Sequence, residues 1–131
     1  STMQAVMAQR LVRVICSNCK APYKPDPDEL LEIGIDPARV QGYTFYHGKG
    51  CEQCRQTGFR GRVGLFEILI STPELREMIV RHASVGEINN YLRASQNFRT
   101  MLEDGYDKIS KGVTTPKEVF TAVFSTMTIG S

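Results

Sequence analysis

Apolar positions change their period along this chain, and the changes mark out its elements. Residues 3–15 carry Met3, Val6, Met7, Leu11 and Val12, with Gln4, Gln9, Arg10 and Arg13 between them. That i, i+3, i+4 stripe predicts a helix whose apolar face needs a covering surface, such as a preceding domain. Asp26-Pro27-Asp28-Glu29 offers a cap, a proline suited to the first helical position and an acid completing a capping box. It predicts a short helix through about Ile33, stopped by Gly34. Asp36-Pro37 predicts a further brief helical turn ending near Gly42, and Tyr43 to His47 alternates enough for a strand. Arg62 to Ile70 is the strongest strand pattern; its nearly continuous apolar run predicts cover on both faces. Glu67, inside that run, is expected to pair with Arg60 or Arg62.

The remainder reads as helical. Thr72-Pro73-Glu74 starts a helix with Leu75, Met78 and Ile79 on one face. Ser84-Val85-Gly86-Glu87 is a capping box for the next, with Val85, Ile88 and Leu92 inward. Thr100 caps a third, bearing Leu102, Tyr106 and Ile109; Gly105 weakens it and Gly112 stops it. Thr115-Pro116-Lys117-Glu118 opens a last helix with Val119, Phe120, Val123 and Phe124 as its apolar stripe, and a frayed tail is expected from Ser125. The fold class is therefore α+β: a small tetracysteine lobe with short strands, followed by a C-terminal helical bundle.

The lobe is set by four cysteines in two pairs, Cys16-Ser17-Asn18-Cys19 and Cys51-Glu52-Gln53-Cys54. A two-residue gap lets one tight turn aim both sulfurs at a single ion, and two such turns supply a closed tetrahedral site. Such a site leaves no position for substrate water, so its default role is structural. Pro22 and Pro25 follow the first knuckle, and Gly48, Gly50, Gly58 and Gly61 bracket the second. Zinc is the leading reading, but spacing does not separate it from a rubredoxin-type iron site with the same ligands. Redox chemistry of the thioredoxin type needs one such pair in a βαβ setting, and here there are two. Disulfides would imply an oxidising compartment, and no signal-peptide pattern precedes Cys16.

Composition bounds the rest. The chain has 131 residues, 41% hydrophobic and 23% charged, with a net charge of +2. A core of this size is modest, and a structural metal would add on the order of 10 kcal/mol. Arg55, Arg60 and Arg62 lie beside the second knuckle, with Lys20, Lys24 and Lys49 near the first pair or between the two. Tyr43, Phe45, Tyr46 and Phe59 interleave with them, a composition also found in zinc ribbons that bind nucleic acid. So small a net charge argues against a dedicated nucleic-acid binder. The string Gly42 to Gly50 has five residues between its glycines where a phosphate loop needs four, and Gly58 to Gly64 is misspaced for a dinucleotide fingerprint. His47 and His82 stand singly, and no carboxylate pair forms an acid/base couple. No catalytic group is expected in this chain. No apolar run approaches transmembrane length. The first residues, without an initiator Met, read as the middle of a longer protein.

Taken together, these motifs resemble the C-terminal region of the type II secretion and type IV pilus assembly ATPases. The resemblance rests on Ala8-Gln9-Arg10-Leu11-Val12-Arg13, on Cys16-x-x-Cys19-Lys20-x-Pro22-Tyr23, and on Gly50-Cys51-x-x-Cys54-x-x-Thr57-Gly58-Phe59-x-Gly61-Arg62-x-Gly64-x-Phe66-Glu67. Arg99-Thr100-Met101 with Glu103-Asp104-Gly105, and Gly112-Val113-Thr114-Thr115-x-x-Glu118-Val119, extend it to roughly residues 5–124. Where the family often has Gly-Met before Arg-Thr, this chain has Asn97-Phe98. The tetracysteine insert points to the secretion and pilus-extension branch, since the retraction motors lack it. The resemblance implies a cytoplasmic hexameric motor, peripheral at the cytoplasmic face of the bacterial inner membrane, whose ATP and Mg motifs lie upstream of residue 1. It implies zinc on Cys16, Cys19, Cys51 and Cys54. It divides the chain into the end of a motor-core helix (1–15), the zinc lobe (16–71) and a helical subdomain (72–131). Partners implied are the upstream ATPase domain, neighbouring subunits and the inner-membrane platform protein. The readings that compete are a free-standing nucleic-acid-binding zinc ribbon and an iron-binding electron-transfer protein.

Overall fold

In the computed structural model, which describes residues 4–129, the stretch expected to be helical at the start of the chain is a strand. Strand β1 (Gln4–Ile15) pairs antiparallel with β4 (Phe59–Ser71), Gln4 opposite Ser71 and Val12 opposite Val63. The helix expectation fails for a physical reason. Apolar residues occupy both faces of β1, and such a run matches a helical stripe as well as a two-sided strand. The ladder with β4 provides the hydrogen bonds that decide it. Met3, the first residue of the expected stripe, lies outside the described residues.

Between β1 and β4 the chain makes one excursion. Strand β2 (Lys20–Tyr23) pairs antiparallel with β3 (Phe45–Gly48), and helix α1 (Pro27–Ile33) and a 3-10 turn (Pro37–Val40) connect them. Asp26 is the N-cap of α1 but its side chain makes no capping bond; the start rests on Pro27, and Gly34 closes the helix at φ +103°. Asp36 accepts from the Ala38 amide at 3.0 Å.

After β4 come α2 (Pro73–Val80), α3 (Val85–Gln96), α4 (Met101–Ser110) and α5 (Pro116–Ile129). The expected caps Thr72, Ser84, Thr100 and Thr115 all accept an amide three residues on. Only Thr100 closes a full capping box, with the Glu103 carboxylate taking the Thr100 amide at 2.9 Å. Glu87 pairs instead with Arg81, and Glu118 reaches across to Arg13 at 2.8 Å. Val85, expected inward, and Ile79, expected on the face of Leu75 and Met78, are exposed, because the contact between α2 and α3 is made by Leu75 and Leu92. Asn97 ends α3 in the left-handed conformation that a glycine would take, and Phe98 is buried with Leu75 and Leu92. Helix α5 continues past Ser125 to Ile129, and the last two residues of the expected frayed tail lie outside the described ones. Among the described residues no helix is long and apolar enough to cross a membrane.

One core joins the excursion to the helices: Val12 and Leu65 from the ladder, Leu30, Ile35 and Phe45 from the excursion, Ile109, Val119 and Phe120 from α4 and α5. The other face of the ladder is not covered, contrary to expectation: Phe66 and Ile68 are exposed there. Glu67 also differs. It turns to the core side, where its Oε1 accepts the Met101 amide at 3.0 Å, an anion at the positive end of α4. Asp104, almost wholly buried, accepts from the Phe66 amide at 2.9 Å and Lys108 Nζ at 2.9 Å, and pairs with Arg99. Burial pushes its carboxyl up, but Lys108, the Phe66 amide and Arg99 outweigh that and hold it below the ordinary range.

Gly105 is the position where α4 meets α5. A Cβ there would lie 2.3 Å from Val119 Cγ1. Gly105→Ala is therefore expected to destabilise by about 2 kcal/mol through overpacking, although alanine is the better helix former. Urea unfolding of the single variant and of Gly105→Ala with Val119→Ala checks this, since the paired costs should be less than additive.

Glu103 is held at about 2, chiefly by Arg93 and against burial, with the Thr100 amide adding to it. Its folded value is depressed below the ordinary 4.5, so its contribution is complete above that pH and is lost as pH falls towards about 2. Glu103→Gln should remove that segment of the acid-unfolding curve followed by circular dichroism. Asp104→Ala, which leaves Lys108 without its buried partner, should cost about 3 kcal/mol at neutral pH.

Candidate metal centre

The four predicted cysteines come together where the ladder ends. Ile15 is the last residue of β1, and the next amide, Cys16 N, donates to Gly58 O at 2.9 Å. That bond places the first knuckle directly against the exit of the second. Lys49 N donates to Cys19 O at 3.2 Å, tying the knuckles on their other side. The backbones touch between the two ties: a Cβ on Gly48 would lie 2.1 Å from Gly58 O. Glycine is required there for this close approach.

All four sulfurs lie within 4.8 Å of one another. Cys16 to Cys51 and Cys19 to Cys54 are both 3.8 Å, and Cys51 to Cys54 is 3.6 Å. A metal–sulfur bond of about 2.3 Å puts tetrahedral sulfurs about 3.8 Å apart, so the donor set fits one four-coordinate ion. The same separations exclude disulfides in this arrangement, and all four cysteines are free. Cys16 and Cys54 are buried, and Cys19 and Cys51 half-buried.

The backbone turns prepare the sulfurs for negative charge. Gly50 N donates to Cys19 Sγ at 3.3 Å, Cys51 N to Cys54 Sγ at 3.3 Å and Gly58 N to Cys54 Sγ at 3.2 Å. Burial pushes the Cys54 thiol up, but the Gly58 and Cys51 amides and the neighbouring thiols bring it down to about 6. Asn18, the Cys54 amide and the Cys16 thiol lower Cys51 against burial. Cys19 goes the other way, to about 11, because burial and the three neighbouring thiols outweigh the Gly50 amide.

Thr57 completes the second knuckle. Its Oγ1 donates to Cys54 O at 2.6 Å and accepts from Phe59 N at 3.2 Å. Arg55 and Gln56 adopt left-handed backbone at φ 56° and 65°. Composition gives no warning of that turn, whereas Thr57, three residues after Cys54, was visible in the motif. His47 stays out of the cluster, its ring tilted against the Tyr23 ring at 4.9 Å. Of the basic residues near the knuckles, Lys20 lies over Tyr46 at 4.7 Å, and Arg60 bonds Gln53 at 3.1 Å.

Residues 1–121 match the family described as Type II/IV secretion system protein. The type IV pilus assembly ATPase PilB of Thermus thermophilus is 42% identical over 114 residues, 87% of this chain and 13% of the relative. The type II secretion system protein E of Pseudomonas aeruginosa is 40% identical over 119 residues, 91% of this chain and 23% of the relative. The type II secretion system ATPase E of Vibrio cholerae is 34% identical over the same length, again 91% and 23%. The chain thus spans less than a quarter of the length of these relatives. It belongs to the Type II/IV secretion system protein family.

Proposed function

We propose that this chain is the zinc-clamped C-terminal part of a hexameric type II secretion or type IV pilus assembly ATPase. The single observation that carries the reading is the tetrahedron of Cys16, Cys19, Cys51 and Cys54 sulfurs in a member of this family. Two of the relatives are named ATPases, one of type IV pilus assembly and one of type II secretion. In this reading ATP and Mg²⁺ are held by the rest of the polypeptide, and this chain contributes no catalytic group. It belongs at the cytoplasmic face of the inner membrane, between the motor, neighbouring subunits and the membrane platform protein. Zinc would supply a rigid four-way link and no chemistry.

The protein's own residues suit that mechanical role. The excursion from Cys16 to Gly58 is closed at its base by backbone bonds and by the Gly48–Gly58 contact. Its core is continuous with α4 and α5 through Leu30, Ile35 and Phe120. A lobe clamped at its base and packed on the helices moves with them, and so transmits a displacement of the motor to whatever its tip touches.

Native mass spectrometry with elemental analysis should find one zinc per chain, lost together with folded structure on chelation or on substituting any of the four cysteines by serine. Iron in that position would replace the reading by electron transfer. In the full-length motor, Cys51→Ser is expected to abolish secretion or piliation while ATP hydrolysis persists. Full secretion by a metal-free, hexameric, ATP-hydrolysing variant would remove the coupling role.

A further inference from the structure

The chain leaves the two knuckles differently. Cys19 runs directly into β2, and no residue from Cys16 to Lys20 has left-handed backbone. Cys54 is followed by two left-handed residues in succession, Arg55 at φ 56° and Gln56 at φ 65°. Neither is glycine, so each holds its Cβ against a carbonyl at a cost that glycine would avoid. The turn brings Gly58 back over the cluster. Its amide reaches Cys54 Sγ at 3.2 Å, and its carbonyl takes the Cys16 amide at 2.9 Å. One strained turn thus sets both a bond to a ligand sulfur and the tie between the knuckles.

The backbone holds this turn with one short bond and two longer ones. Gln56 N donates to Cys51 O at 2.8 Å; Arg55 N to Glu52 O and Thr57 N to Cys54 O are both 3.2 Å. The Thr57 hydroxyl adds the rest. Its Oγ1 lies 2.6 Å from Cys54 O, 3.2 Å from Phe59 N and 3.0 Å from Phe59 O. With one proton to give, it donates to the nearer carbonyl, that of Cys54, and accepts from the Phe59 amide. The bridge runs from a ligand residue to the first residue of β4, across both left-handed residues and Gly58. Thr57 is exposed, so water can serve its hydroxyl and burial does not oblige it to bond the backbone.

We infer that Thr57 is a positioning residue of the metal centre: its hydroxyl locks the left-handed exit of the second knuckle, keeps the Gly58 amide on Cys54 Sγ, and so slows release of the ion. The hydroxyl bonds no sulfur and acts only through Cys54 and Gly58. Groups one bond removed from a metal ligand commonly change affinity by about 10- to 100-fold. The inference rests on the reading that the four sulfurs hold zinc.

Transfer of zinc from the loaded full-length protein to a colorimetric chelator, followed in time, tests it. Thr57→Val keeps the shape of the side chain and removes the hydroxyl; zinc should leave it about 10-fold faster, and Thr57→Ser should restore the slow rate. Gln56→Gly removes a conformational cost that the hydroxyl offsets, so Thr57→Val made in that background should speed release far less. A Thr57→Val protein that takes up no zinc is compared in the Gln56→Gly background, where loading should return; continued failure to load there overturns the inference. Equal release from Thr57→Val and the unaltered protein, each holding one zinc, overturns it and leaves the zinc clamp standing. Release from Thr57→Ser as fast as from Thr57→Val, or an undiminished effect of Thr57→Val beside Gln56→Gly, overturns it as well. Absence of zinc from the unaltered protein removes the clamp itself.

Discussion

The antiparallel ladder between β1 and β4 is the constraint on which the other features depend. Its last regular pairs bring Ile15 to Phe59 across a register shift, and both knuckles begin where it stops. The Cys16 amide bonds Gly58, so the ends of the ladder set the positions of Cys16 and Cys54, the two buried ligand candidates. One face of the same ladder supplies Val12 and Leu65 to the core that seats α4 and α5. Its β4 edge receives Asp104 and Gln96, which fix the helical part against it. Lobe, core and helices thus share one two-stranded frame.

What could be read from residues alone follows from how local the determining interaction is. The sulfur cluster was legible because each pair is a turn of four residues, and the chemistry of thiolates leaves few uses for two such turns. Thr100 and Glu103 were legible as a capping box for the same reason. β1 was not, because its strand character comes from pairing with residues 44 to 67 positions away. Glu67 was misjudged for a similar reason: its partner, the Met101 amide, lies on a helix that sequence spacing does not bring near. Glu118 reads as half of a local capping box, and in the structure it serves Arg13, on the strand at the other end of the chain.

Family membership and geometry contribute different things. The relatives identify the kind of protein to which such a chain belongs, and they do so over nearly its whole length. They do not explain why glycine stands at position 48 or 105. The structure does: one glycine lets two backbones meet under the knuckles, and the other lets α5 lie against α4. Asn97 illustrates the converse. It is not a glycine, yet it adopts the left-handed end of α3 that such a position demands, and Phe98 fills the small core beneath.

The placement of the knuckles at one end of the ladder also bears on how the chain folds. Pairing Gln4 with Ser71 directly would require closing a long loop, and such closures are slow. Each knuckle needs only its own few residues. Were an ion shared between the two, Ile15 and Phe59 would become neighbours and every further pair would add next to one already made. Assembly of the longest strands would then be a zipper that starts at the sulfurs and runs outward to Gln4, with the order of events set by where the cysteines stand.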